Sequence, residues 1–255
     1  VDTHTAVQAV LPVAGAGDSS DGTGWIVRFG GDREVRAAAV VLACGGPATT
    51  ARLLGVDPSM LGEPGPSVRA TCLDIGLAEA PTRGALFSLD EPLYLSRHMG
   101  PAQLGPEGAG VVCLLRNLGA DEHLTPDDAQ GQLWEHAGRV GIRRVGSDVL
   151  AHRYLHDMTV AHGMPLAATG GLAGRPSVDP ALDGFRGVYI AGDWVGTDGM
   201  LADASAASAR TAASLAVAHA VTTATATRTG TRKLGQGTAS VTQFEVGAIV
   251  EDVPA

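Results

Sequence analysis

The stretch VYIAGDWVGTDGMLADASAASARTAASLAVAHAV, residues 188–221, narrows the possible folds more than any other part of the chain. Its first four residues, 188–191, are apolar and too few for a helix, so they read as a short buried strand. Gly192 then frees the backbone, Asp193 places a carboxylate at the strand's carboxyl end, and Gly196 and Gly199 permit an extended backbone to pass close to something flat. From Leu201 to about Val221 small residues dominate. Leu201, Ala204, Ser208, Ala212 and Leu215 recur at three- and four-residue steps, the spacing of one helix face. Ligands of open α/β sheets gather at the carboxyl ends of strands. A helix starting at Leu201 would offer such a ligand unpaired N–H groups and the positive end of its dipole. The plainer reading of the same residues is strand, turn and helix packing, with Asp203 serving only the helix dipole.

The flanking sequence suggests where this unit sits. Residues 1–43 read as short strands: TAVQAVLPV, a loop AGAGDSSDGTG, WIVRF, a turn at Gly30-Gly31-Asp32, and EVRAAAVVLAC. The last of these is apolar from Val40 to Ala43, as expected of a strand covered on both faces. GGPATTARLLG follows as a glycine-rich turn into a short helix ending near Gly55. Between about 66 and 165, SVRATCLDIGLAEA, ALFSLD, PLYLSRHM and GVVCLLRNL form four strand-like runs separated by Pro and Gly, which predicts an antiparallel sheet. A helix is expected from Pro126 to Ala137, capped by Thr125 with Asp128 in the capping-box position. DVLAHRYLHDMTVAHGMP reads as a strand, with a helix of two turns as the alternative. The division that results is 1–65, 66–165, 166–221 and a flexible tail over 222–255, whose last stretch regains alternation.

Composition removes several classes of function. The 255 residues carry a formal net charge of -9 with scattered Lys and Arg, which argues against nucleic acid as a partner. No run of 18 uncharged apolar residues occurs, so no membrane span is expected. Cys44, Cys72 and Cys113 are widely spaced and lie in or beside apolar runs, the pattern of reduced thiols in a cytoplasmic protein. The chain does not begin with methionine, which suggests processing, a mature chain or a fragment.

The familiar short motifs are missing: the sequence has no Gly-x-Gly-x-x-Gly, no Gly-Lys-Ser/Thr phosphate loop, no Gly-x-Ser-x-Gly and no His-Glu-x-x-His. His152 and His156 stand four apart but have no third ligand at a suitable spacing, so no metal site is expected there. His162, in VAHGMP, is the better candidate for lining a pocket.

GVYIAGDWVGTDGMLADASAASARTAASL resembles the carboxyl-terminal flavin motif of FAD-dependent oxidoreductases of the amine oxidase and phytoene desaturase superfamily, and most of all its bacterial phytoene-dehydrogenase-like branch. VRAAAVVLACGGPATTARLLG is similar to the strand and turn leading out of the FAD domain in that superfamily. LDEPLYLSRHMGPAQLGPEGAGVVCLLRN and MTVAHGMPLAATGGLAGRPSVDPALDGFRGVYIAGDWVG extend the resemblance over roughly residues 1–220. The resemblance implies an α/β plus α+β chain: an incomplete Rossmann-like FAD-binding domain joined to an antiparallel-sheet substrate domain. It implies that Gly192 and Asp193, with Trp194 beside them, meet the pyrophosphate and ribityl region of FAD. Gly199, Met200 and Leu201 would run beside the isoalloxazine, and the helix end would stabilise the negative charge that hydride arriving at N5 leaves near N1. Cys44, Gly45 and Gly46 would approach the cofactor from their turn, and Val10 or a neighbour would lie near the adenine. His162, Tyr94 and His98 are the expected catalytic and substrate-pocket residues for removal of hydride from an apolar or amine substrate. A flavin-dependent isomerase and a non-catalytic flavin-binding subunit are the alternatives. Members of the superfamily carry a βαβ unit with Gly-x-Gly-x-x-Gly, so the resemblance further implies a second polypeptide that supplies it.

Overall fold

A computed structural model describes residues 2, 4–13, 24–30, 33–82, 84–98, 104–144 and 148–231, with side chains as far as Thr225. The expected turn at Gly31-Asp32, most of the 14–24 loop and residues 232–255 lie outside the described residues. The chain forms two compact units, one from residues 1–66 together with 162 onward, the other from Ser67–Ala161.

In the first unit, β1 (Val7–Pro12), β2 (Trp25–Phe29) and β3 (Glu34–Ala37) make an antiparallel sheet in that order. Alternation sets its inner face: Trp25, Val27 and Phe29 are buried, while the intervening Arg28 is exposed and pairs with Glu34 at 2.9 Å. β4 (Val40–Leu42) pairs in parallel with β10 (Val188–Ile190), with Val40 opposite Val188 and Leu42 opposite Ile190. Parallel pairing of segments so distant in sequence is the step no local pattern could supply. α1 (Pro47–Leu54) follows β4: Pro47 fits the first turn, where its missing N–H costs nothing, and Gly55 closes the helix at φ +67°. α3 (Ala202–Thr231) packs against β10 and β4. Leu42, Leu53, Leu54, Ile190, Trp194 and Ala212 meet in the core between these elements.

Three expectations change here. Val41 is 39% exposed, so β4 is not covered on both faces, and its sheet has two strands among the described residues. Val10 is buried in the apolar core of β1, where it offers no surface to an adenine. The last helix continues through residues 222–231, the start of the expected flexible tail, because the Ala/Thr run contains no helix breaker before Gly230.

The second unit is a five-stranded antiparallel sheet of order β6-β7-β8-β5-β9, built from β5 (Val68–Leu77), β6 (Ala85–Phe87), β7 (Leu93–His98), β8 (Gly110–Leu118) and β9 (Val149–Ala161). α2 (Pro126–Gly138) packs on one face, where Leu73, Ile75, Leu95, Val112, Leu114, Leu133 and Ala137 form the core. Thr125 caps α2 as expected, its Oγ1 accepting from the Asp128 N–H at 3.2 Å. β9 is a strand, which resolves the ambiguity over residues 148–165. On a strand, His152 and His156 are about 13 Å apart, too far to share an ion. His152 instead meets the edge of Trp134, and His156 Nδ1 bonds the Tyr154 hydroxyl at 2.9 Å.

A charged network braces the far end of this sheet. A bulge in β9 puts Asp157 at φ +47°, where its carboxylate accepts from Arg69 Nη1 at 2.8 and 2.7 Å. Arg116 Nη2 donates to Glu122 at 2.6 Å, and the Gly119 N–H donates to the same carboxylate at 3.0 Å. These donors, Arg116 first, hold the Glu122 carboxyl at about 2, below its ordinary 4.5. A depressed folded-state pKa stabilises above the unfolded value and is lost as pH falls through the folded one. Glu122→Gln should therefore cost about 1 kcal/mol at neutral pH, a figure reduced for solvent screening. Urea unfolding of variant and wild type should converge as pH falls from about 4.5 toward 2; a gap that stays constant would show that the Glu122 charge contributes nothing.

Candidate functional site

Because β4 and β10 run parallel, their carboxyl ends emerge side by side, and the turn at residues 44–46 meets the turn at residues 192–193. Three bonds fix the junction. The Ala191 N–H donates to the Leu42 carbonyl at 2.9 Å, Trp194 Nε1 donates to the Gly45 carbonyl at 2.8 Å, and the Gly192 N–H donates to Ser208 Oγ of α3 at 3.1 Å. Ser208 is buried, and its hydroxyl also bonds the Ala204 carbonyl at 2.8 Å, so it ties α3 to the turn.

His162 and Asp193 form the polar centre. The two Asp193 oxygens accept from the His162 backbone N–H at 2.7 Å and from Nδ1 at 3.0 Å. A carboxylate only accepts, so the Nδ1 facing it carries the hydrogen, and a neutral ring keeps its lone pair on Nε2. The ring lies against the glycine turn: a Cβ at Gly46 would stand 2.5 Å from His162 Cδ2, and one at Gly45 would stand 3.5 Å from Nε2. Gly45 also holds φ +96°, a conformation that favours glycine. Gly46→Ala should displace the imidazole or push α1 back, at a cost of about 1–3 kcal/mol. The chemical shift of the His162 ring reports the displacement, and an unmoved resonance with unchanged stability would refute this account of Gly46.

The glycines expected to admit a cofactor prove to be of two kinds. Gly46, Gly192 and Gly199 make room for the chain's own atoms: His162, Trp194 Nε1 at 2.8 Å from a Cβ at Gly192, and Asp203 Cβ at 2.7 Å from one at Gly199. Gly196, at φ +78°, is uncrowded: a Cβ there would only touch Ser208 Cβ at 4.0 Å. Beyond it, Met200 and Leu201 are 40% and 48% exposed at the mouth of α3, and Leu201 holds φ +52°, an uncommon strain for a bulky residue. The Asp203 and Ala204 amides turn back on the Met200 carbonyl at 3.1 and 3.4 Å. The amides before them have no partner within the helix by its geometry. These positions suit a flat ligand with an electron-rich edge.

Trp194 needs correction as a cofactor contact. It is fully buried and spends its one polar atom on Gly45, so it braces the turn from behind. Tyr94 and His98 belong to β7 in the other unit, on the sheet face opposite α2. Tyr94 stacks on Phe87 with ring centroids 5.8 Å apart, and burial, followed by the neighbouring Cys113 and Cys72 sulfurs, pushes its phenol above the ordinary value. His98 is exposed at the strand's end.

Sequence reasoning missed Arg175 and the role of Ser208. Arg175 is 6% exposed; Nη1 donates to the Gly199 carbonyl at 2.9 Å, while Nε is buried without a partner among the described residues. Nothing in GRPSVDP signals burial of its arginine. For Ser208 a signal existed, a hydroxyl on the helix stripe that otherwise packs through alanine.

No protein-family model and no curated protein matches this sequence. Among solved structures, the fold resembles that of an oxidoreductase from Methanosarcina mazei, with a TM-score of 0.52, 17% identity, and coverage of 81% of this chain and 48% of that one. Weaker likenesses are a double mutant of putrescine oxidase (0.48, 15% identity, 83% and 48% covered) and the Diels-Alderase PyrE3 of pyrroindomycin biosynthesis (0.45, 18% identity, 86% and 41% covered). The likeness to the Methanosarcina mazei oxidoreductase is one of fold alone. The chain spans about half the length of that oxidoreductase. The chain is a mixed α/β fold with antiparallel sheets, and among the described residues no helix is long and apolar enough to cross a membrane.

Proposed function

We propose that this chain is the carboxyl-terminal part of an FAD-dependent oxidoreductase of the amine oxidase and phytoene desaturase type, acting on an apolar or amine substrate. The observation that carries the reading is the junction of β4 and β10, where the Gly45-Gly46 turn, the His162–Asp193 pair and the mouth of α3 lie in one unit. An oxidoreductase-like fold supports it.

In this reading residues 199–201 hold the flavin through backbone amides, with Gly45 and Gly192 nearby, while the Gly196 N–H donates to the Pro176 carbonyl at 2.8 Å and fixes the turn. Bound there, the isoalloxazine would supply the acceptor for hydride, chemistry that no side chain of the chain offers. The residues themselves position and polarise. Arg175 restrains the Gly199 carbonyl, and its buried positive charge adds to the field of the α3 end, which favours an anionic edge nearby. Asp193 fixes the imidazole so that His162 Nε2 is the atom able to accept a proton from a substrate amine or hydroxyl. The five-stranded sheet, with Tyr94 and His98 on one face, is the proposed substrate-binding unit.

The absence of Gly-x-Gly-x-x-Gly from these 255 residues, together with the half-length match, supports a second polypeptide or segment that supplies the adenosine-binding βαβ unit. The test is an absorption spectrum of the natively purified material paired with denaturing electrophoresis. Flavin bands near about 370 and 450 nm and a second polypeptide are expected. A preparation that stays colourless after incubation with FAD would refute the flavin, and flavin held tightly by this polypeptide alone would refute the partner.

A further inference from the structure

We propose that Cys72, Asp74 and Cys113 form a binding site for a thiophilic divalent cation of the zinc class, on the face of the five-stranded sheet opposite α2. Cys72 and Asp74 are two apart on β5 and so share a face. The register places Cys113 of β8 directly across from Asp74 and diagonally from Cys72. The core face of these strands is taken by Leu73, Ile75 and Leu114, so the thiols are not filling the core beneath α2.

The distances fit a metal polyhedron. Cys72 Sγ lies 3.4 Å from Cys113 Sγ and 3.7 Å from Asp74 Oδ1, and the three ligand atoms all fall within 4.8 Å of one another. Tetrahedral zinc with Zn–S of about 2.3 Å and Zn–O of about 2.0 Å separates neighbouring ligand atoms by roughly 3.5–3.8 Å. Small rotations of three side chains would bring all of them onto one ion. Cys72 is buried whereas Cys113 and Asp74 are half-buried, which leaves a fourth position for water or another small ligand, as in open zinc sites. Charge also balances. Two thiolates and a carboxylate around a dication leave one negative charge, and Arg153 of β9, opposite Asp74 in the register, supplies one positive charge nearby. Binding releases the two thiol protons to solvent and moves no electrons.

A disulfide fits less well. The cysteines are diagonal, not opposite, and the sulfurs stand 3.4 Å apart, against about 2.05 Å in a disulfide. The site uses none of the residues assigned to flavin or to the His162–Asp193 pair, so it stands or falls separately from the proposed oxidoreductase activity.

The test is anaerobic titration of the reduced, metal-stripped full chain, with any co-purifying partner, using Co(II) alone and then Zn(II) in competition. One equivalent of Co(II) should produce sulfur-to-cobalt charge-transfer absorption and the intense visible bands of a tetrahedral site, both removed by Zn(II). Cys72→Ser and Cys113→Ser should each weaken Zn(II) binding at least about 100-fold. Asp74→Asn, which leaves both thiols intact, should weaken it about tenfold. Cys44→Ser, which lies outside the Cys72–Asp74–Cys113 cluster, should leave the Co(II) bands and Zn(II) binding unchanged. Circular dichroism checks that each variant keeps its strands. Absence of the bands in the wild-type chain, or bands that survive in folded Cys72→Ser or Cys113→Ser, would overturn the proposal. So would a reduced protein that closes a Cys72–Cys113 disulfide on mild oxidation yet takes up no Co(II).

Discussion

Asp193→Ala is expected to destabilise the first unit by about 3 kcal/mol and to lower flavin retention at least about tenfold. The stability loss follows from geometry alone. One side chain accepts both the His162 backbone N–H and its Nδ1–H, so truncation leaves two donors without a partner in a half-buried place. The loss of retention follows from the proposed function, because the imidazole would no longer be fixed against the Gly45-Gly46 turn that borders the proposed flavin site. Urea unfolding and a flavin binding titration separate the two. A destabilised variant that binds flavin as well as the wild type would reduce Asp193 to a strut and remove it from the site. Asp193→Asn should fall between, since its amide accepts at one oxygen only and presents an N–H₂ toward a donor.

Trp194 should give the largest stability effect. It is a fully buried aromatic side chain at the meeting of β4, β10 and α3, and Trp194→Ala should cost about 3–5 kcal/mol through the cavity it leaves. Trp194→Phe separates packing from hydrogen bonding. It retains most of the volume but orphans the Gly45 carbonyl, at a cost of about 1–3 kcal/mol. Thermal or urea unfolding measures both. If Trp194→Phe proves as stable as wild type, the bond to Gly45 is not what holds the turn. Because Gly45 carries the φ of +96° on which the turn depends, Trp194→Phe should also loosen the contact between Gly46 and His162.

The contrast between Asp193 and Trp194 marks how far the sequence could be read. Both follow Gly192 within two residues, and both are expected from the sequence to face the cofactor. Neighbours in a turn after a strand diverge, however, and only packing decides which side chain is drawn into the core. Tryptophan has the larger apolar surface and is fully buried; aspartate stays partly accessible and has a donor pair in His162. The thiols gave a parallel lesson. Cys72 and Cys113 read as separate reduced cysteines in apolar runs, and pairing β5 with β8 set them beside each other.

Periodicity and punctuation alone determined the short strand before Gly192, the long small-residue helix, the capped helix after Thr125 and the run of antiparallel strands that precedes it. Those features depend on interactions within a few residues, which a linear pattern encodes directly. The tertiary structure decided the parallel register of β4 with β10, the meeting of His162 with Asp193, the burial of Arg175 and the diversion of three glycines to the chain's own side chains. Each of these depends on contacts between residues far apart in the chain, where the free energy comes from joint burial and mutual hydrogen bonding and leaves no local signature.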